Sequence, residues 1–239
     1  MTPDTPPIVA HSLQACRSCG GGAPVDVHFC PQCTKILSLG RHGDYFSYLG
    51  VPRKLAIDAG LLEDRFRALS RQFHPDYYYN ATPAERRASL ERSSYLNDAY
   101  RTLRQPVSRT EYLLQVEGMP AGGNGEGAKQ VPASLLEDVF ALNEELDMVR
   151  EMRADGATAD QWRARLERAR APIEERRAAH EAELKTLAAQ WDTLVDRDAP
   201  RTERAPVLAA LRERMLERSY INNLLAGIER ELTTPDLGT

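Results

Sequence analysis

Two residue sets in this chain of 239 residues could carry chemistry. The first is Cys16-x-x-Cys19 with Cys30-x-x-Cys33, and there is no fifth cysteine. Each pair can form a knuckle in which a tight turn aims both sulfurs at one ion, and Gly20 to Gly22 accommodate the first turn. Two knuckles close a tetrahedral four-thiolate site, the ligand set of structural zinc. One zinc ion is therefore expected at Cys16, Cys19, Cys30 and Cys33. The same four thiolates also hold iron or an iron–sulfur cluster, and spacing does not separate the metals. Two disulfides are the rival pairing, which a reducing compartment disfavours. No βαβ pattern surrounds either pair, which argues against a thioredoxin-like role. A segment this short has a negligible hydrophobic core, so the metal should supply most of its fold.

The second set is Phe73-His74-Pro75-Asp76. Pro75 biases His74 away from helical backbone and lacks an N–H, so a helix must break there. The break leaves one imidazole and one carboxylate on a rigid tip. An acid–base enzyme would need a third convergent group or a phosphate-cradling glycine loop, and neither is evident, so the chain is not expected to be an enzyme. The tip needs a helix on each side. Leu62, Phe66, Leu69 and Phe73 before it recur at helical spacing, as do Leu96, Ala99, Tyr100 and Leu103 after it. Arg65, Arg67 and Arg71 fall off the apolar face of the first helix, and Arg67 and Arg71 share a face.

Composition divides the rest. Residues 1–14 hold Pro3, Pro6 and Pro7 and no Lys or Arg, which reads as a short disordered leader without targeting character and predicts a cytoplasmic protein. Residues 15–40 form the four-cysteine segment, with a linker near Leu39 to His42 that should uncouple it from the helices beyond. Residues 44–117 carry the helices around the tip and a shorter helix near Ser108 to Val116. Glycine-rich residues 118–131 predict a flexible linker. Residues 132–233 predict a three-helix bundle. Its first helix carries Leu135, Leu136, Val139, Leu142 and Leu146 and is broken near Asp155-Gly156. The second follows a Thr158 N-cap and runs through Trp162 to Val195, kinked or split by Pro172. The third follows Pro206. The fold class is mainly α. A net charge of −4 argues against nucleic acid as the main partner, and no apolar run reaches the length of a membrane span. Four lysines against a large excess of arginine, with much alanine, suggest a GC-rich bacterial genome.

The order Asp44-Tyr45-Phe46, Leu49-Gly50-Val51-Pro52, His74-Pro75-Asp76, Asn97-Asp98-Ala99-Tyr100-Arg101-Thr102-Leu103 and Tyr112-Leu113-Leu114 resembles a J-domain of the HscB branch, the co-chaperones of iron–sulfur cluster assembly. The likeness runs from about residue 44 to the C-terminus. It implies that His74, Pro75 and Asp76 trigger ATP hydrolysis in a DnaK-like or HscA-like chaperone, and that Arg65, Arg67 and Arg71 dock on an acidic groove of it. Many J-domains place Lys or Arg after the tripeptide, where Tyr77-Tyr78-Tyr79 stands here. The resemblance also implies an iron–sulfur scaffold partner, held by Leu136, Phe140 and Glu144 with Tyr220 from the last helix. Leu136, Phe140 and Glu144 stand at i, i+4 and i+8, on a face distinct from the Val139-Leu142-Leu146 seam. Some relatives, notably eukaryotic ones, carry a similar double-knuckle extension. A competing function is a zinc-dependent regulatory or nucleic-acid-binding adaptor with a generic J-domain. Only Arg17 and His28 are potential cations between Cys16 and Cys33, which disfavours it.

Overall fold

The structure, a computed structural model, describes residues 13–25, 27–39, 43–119 and 132–234. The leader expected over 1–14 and the linker expected over 118–131 lie outside these residues, except that Leu13 and Gln14 open the first strand and Gly118 and Met119 follow a helix. The chain falls into two compact units that part at Arg109–Thr110.

The first unit begins with a two-stranded antiparallel ribbon, β1 (Leu13–Ala15) and β2 (Gly22–Pro24), with Leu13 opposite Pro24. A single bridge pairs Phe29 with Ile36. Helix α1 (Tyr45–Leu49) starts at Asp44, whose carboxylate accepts from the Ser47 N–H at 2.9 Å, and stops at Gly50, φ 64°. At that angle a side chain would be strained, so glycine ends the helix. Helix α2 (Ala59–Phe73) is capped by Asp58, which accepts from the Leu61 N–H at 2.6 Å. Helix α3 (Pro83–Arg104) opens with a capping box. Glu85 accepts from the Thr82 N–H at 3.1 Å, and its own N–H donates to Thr82 Oγ1 at 3.3 Å. The apolar faces expected of α2 and α3 meet: Leu62, Phe73, Leu96, Ala99 and Leu103 are buried, and Phe66 stacks on Tyr100 at 4.2 Å. Helix α4 (Pro106–Val116) begins two residues before the expected Ser108.

The second unit is built from α5 (Leu136–Ala154), α6 (Ala159–Asp196) and α7 (Arg201–Thr233). Leu142, Leu146 and Val149 from α5 pack with Trp162, Leu166, Ile173, Ile221 and Ile228 in one core. Gly156, φ 80°, makes the turn after α5. The 19 residues of α5 span about 28 Å, and the 38 of α6 about 57 Å. Beyond the reach of α5, α6 and α7 continue as an antiparallel pair that buries Trp191, Leu194, Leu208 and Leu211.

The split foreseen as one outcome at Pro172 does not occur, and the helix start expected after Pro206 comes earlier. Helix α6 is continuous through Pro172, and α7 begins at Arg201, five residues before Pro206. A proline removes one hydrogen bond and crowds the preceding turn. The apolar stripe buried on both sides of Pro172, including Leu166 and Ile173, outweighs that loss. Pro206 sits close enough to its helix start that few hydrogen bonds precede it.

Candidate functional site

The tip forms where α2 ends. His74 leaves the helix at φ −58°, ψ 127°, as expected of a residue before proline, and Pro75 opens a 3-10 turn over Pro75–Tyr78. The Asp76 N–H donates to His74 Nδ1 at 3.3 Å, and Asp76 Oδ2 lies 3.4 Å from the same nitrogen. The Tyr78 hydroxyl donates to the Gln72 carbonyl at 3.1 Å and ties the turn back to α2. From the other side, the Ser89 and Ser93 hydroxyls on α3 donate to the Phe73 carbonyl at 2.6 and 2.8 Å. The backbone is thus fixed while the functional groups face solvent: the side chain of His74 is 52% exposed and that of Asp76 85%. Tyr77 and Tyr79 are also exposed and surround the tip with aromatic surface. Arg65, Arg67 and Arg71 are all exposed on α2. Arg67 pairs with Glu63 at 2.5 Å, whereas Arg65 and Arg71 make no ion pair among the described residues.

The four cysteines converge. Their sulfurs all lie within 4.8 Å of one another, with Cys16–Cys33 at 3.6 Å and Cys19–Cys30 at 3.8 Å, and none is in a disulfide. A zinc–sulfur bond of about 2.3 Å sets a tetrahedral edge of about 3.8 Å, so the spacing fits one ion. The knuckles are alike in backbone. The Cys16 N–H donates to the Gly21 carbonyl and the Gly20 N–H to the Cys16 carbonyl, both at 2.8 Å. In the second knuckle the Cys30 N–H donates to the Lys35 carbonyl and the Thr34 N–H to the Cys30 carbonyl, both at 2.9 Å. Gly20 and Thr34 occupy the same left-handed position, at φ 74° and 59°. For Thr34 this costs about 1–3 kcal/mol, which the surrounding site must offset. The Cys19 N–H lowers the Cys16 thiol to about 7. At Cys33 the Lys35 N–H favours the thiolate, but burial and the three nearby sulfurs outweigh it and push the thiol up to about 12. Four thiolates this close need a cation, so the quartet suits a structural metal. Purified protein is expected to hold one metal ion per chain by elemental analysis, and Cys30→Ser to abolish that binding. Metal-free protein with two disulfides would contradict this.

The expected uncoupling of this segment from the helices does not hold. Arg92 of α3 is fully buried and reaches into the segment. Its Nε donates to the Leu37 carbonyl at 2.6 Å, and its terminal nitrogens to the Ser38 carbonyl at 3.1 Å and to His28 Nδ1 at 2.8 Å. The Tyr48 hydroxyl of α1 donates to the Arg92 carbonyl at 3.0 Å. The His28 ring meets Tyr48 and Phe73 edge-on, with centroids 4.9 and 5.0 Å apart. Lys35 pairs with the buried Glu85 carboxylate at 3.0 Å, and hydrogen bonds from Thr82 and Lys35 hold that carboxyl below its ordinary pKa. The segment shares one unit with α1–α3 because a buried guanidinium needs its carbonyl acceptors.

In the second unit, Leu136, Phe140 and Glu144 are exposed along one line of α5. Phe140 is 67% exposed, unusual for so large an apolar ring. Met148, exposed one turn beyond Glu144, continues the line and was missed from sequence. The i+12 spacing was the signal that could have found it. Tyr220 lies on α7, half-buried against the helical core.

No protein-family model matches the chain. Among solved structures it is similar to human co-chaperone protein HscB, with a TM-score of 0.60 and 24% identity over 92% of this chain and 99% of that one. It is also similar to chaperone HscB from Vibrio cholerae, with a TM-score of 0.52 and 26% identity over 79% of this chain and 97% of that one. The chain thus presents a helix-flanked, solvent-facing His-Pro-Asp tip in a fold similar to that of these HscB co-chaperones. More particularly, the architecture is that of an HscB-type co-chaperone, here with an N-terminal four-cysteine segment.

Proposed function

We propose that this chain holds an iron–sulfur scaffold protein on its C-terminal unit and delivers it to a DnaK-like chaperone, whose ATP hydrolysis it stimulates. The observation that carries the reading is the tip, which fixes the backbone of His74, Pro75 and Asp76 and leaves their polar groups to a partner. Arg65, Arg67 and Arg71 then steer an acidic groove of the chaperone onto α2, since exposed charges at a rim set the on-rate. Leu136 and Phe140 are the scaffold anchors, flanked by Glu144, and Tyr220 contributes an aromatic edge. The chain performs no bond chemistry itself. The metal is structural, because a closed four-thiolate set leaves no open coordination position, and zinc is the ion proposed for it since that set is the one structural zinc uses.

Two features support a bacterial cytoplasmic setting: four cysteines at ligand spacing without disulfides, and the arginine-rich composition. Among the described residues no helix is long and apolar enough to cross a membrane. Single-turnover hydrolysis of ATP preloaded on a DnaK-like chaperone should accelerate at least several-fold when the protein is added. It should accelerate further when a scaffold protein is present. No acceleration with any DnaK-like chaperone of the same organism would end this reading.

A further inference from the structure

The end of α2 is held from two sides, and one of them is the four-cysteine segment. Phe73, the residue before the tip, is fully buried. Its ring contacts the His28 ring edge-on at 5.0 Å and lies 6.0 Å from Phe29, and the Arg92 guanidinium sits 5.7 Å over it. His28 and Phe29 directly precede Cys30, so two of the ring's neighbours belong to the second knuckle. Arg92 can only donate hydrogen bonds. His28 Nδ1 must therefore accept, which places the ring's proton on Nε2. Arg92 also takes the Leu37 and Ser38 carbonyls, which come after the second knuckle in the chain. The guanidinium thus keeps its acceptors only while the knuckles hold their shape.

We propose that the metal state of Cys16, Cys19, Cys30 and Cys33 sets the order of the His74-Pro75-Asp76 tip, with His28 and Arg92 as the positioning residues that act through Phe73. Losing the metal frees Thr34 and the knuckle turns. His28 and Phe29 then leave Phe73, Arg92 loses acceptors it cannot replace, and the last turn of α2 frays. The segment is a buttress for the tip rather than an independent module. The consequence for the partner rests on the reading of the tip as the chaperone contact, whereas the coupling itself does not.

Hydrogen exchange on the full chain, reduced, with zinc bound and after chelator stripping, tests this without any partner. The amides of Arg71 to Phe73 and of Asp76 and Tyr77 should exchange at least tenfold faster in the stripped protein, while those of α6 and α7 stay unchanged. Unchanged tip exchange, with residues 16–36 exposed by stripping, would overturn the coupling. Should stripping unfold all of α1–α3, His28→Ala keeps the question open to test, since it spares every metal ligand. That variant should bind one zinc ion and still show tip exchange accelerated about threefold or more. Arg92→Lys, which keeps the charge but loses the fork, should fall between it and the unaltered protein. A zinc-loaded His28→Ala protein with unaltered tip exchange would also overturn the proposal. A tip that responds to the metal in a protein that stimulates no chaperone would instead end the co-chaperone reading and leave the coupling standing.

Discussion

Replacing His74 with Gln is expected to abolish stimulation of the chaperone ATPase while leaving the fold intact. The side chain is about half exposed, and its one backbone contact within the tip is the 3.3 Å bond from the Asp76 N–H to Nδ1. Glutamine offers a carbonyl oxygen that can accept that bond. Surface substitutions away from buried features usually change stability by no more than about 0.5 kcal/mol. The functional loss has a different origin. A residue that shifts the catalytic state of a partner must fit the activated form better than the resting one, and an amide does not reproduce a ring of fixed shape. Circular dichroism should superimpose on that of the parent, and single-turnover hydrolysis should return to the rate of the chaperone alone. Undiminished stimulation would remove the tip from the mechanism. Reversing Arg67 and Arg71 to Glu should weaken association most at low salt, because exposed charges act mainly before contact.

The second large effect concerns the α5 line. Changing Leu136 and Phe140 together to Ala should weaken scaffold binding by a factor of ten or more, with little change in melting temperature. Anchors at the centre of an interface cost about 2 kcal/mol or more each when truncated, whereas buried Leu or Phe truncated in a core costs about 2–5 kcal/mol of folding stability. Phe140, 67% exposed, belongs to the first case, and Leu142 beside it, buried, to the second. Titration calorimetry and a thermal melt of the same preparation separate the two. Stimulation of the chaperone by this protein alone should survive, and the increment gained from scaffold should vanish. A double variant that melts many degrees lower would return both residues to the core and move the client surface to another face. Met148→Ala, added to the pair, should deepen the binding loss.

Much of this was readable from residue types. The cysteine quartet was, because ligand spacing is local: two residues between sulfurs dictate a knuckle whatever surrounds it. The break at His74 was readable because Pro75 acts on its immediate neighbours, and the α2 and α3 faces because burial follows helical period. The capping box at Thr82 and Glu85 was also legible in principle. Arg92 was not. In a helix that also carries Arg86, Arg87, Arg101 and Arg104, nothing local marks the one guanidinium that is buried, since its acceptors lie more than fifty residues away in sequence. The joint between the metal segment and the helices was invisible for the same reason. Pro206 misled in the opposite direction, because a local rule put the helix start after the proline and α7 begins five residues before it.

The placement of the two tryptophans has a practical consequence. Trp162 is buried in the three-helix part of the C-terminal unit, with the Arg153 guanidinium 3.8 Å from its ring centre, and Trp191 is buried on the longer α6–α7 arm. The N-terminal unit contains neither. Indole emission therefore reports on the C-terminal unit alone. The two sites in it occupy different stretches of the bundle, so stepwise loss of the arm before the core would appear as a biphasic signal. A melt or denaturant titration followed at that wavelength is optically blind to the thiolate quartet and to His74. Seven of the nine tyrosines precede Arg109, so phenol absorbance or metal release gives the complementary view. Agreement between the two signals would then be a measured statement about cooperativity between the units, because no chromophore is shared to enforce it.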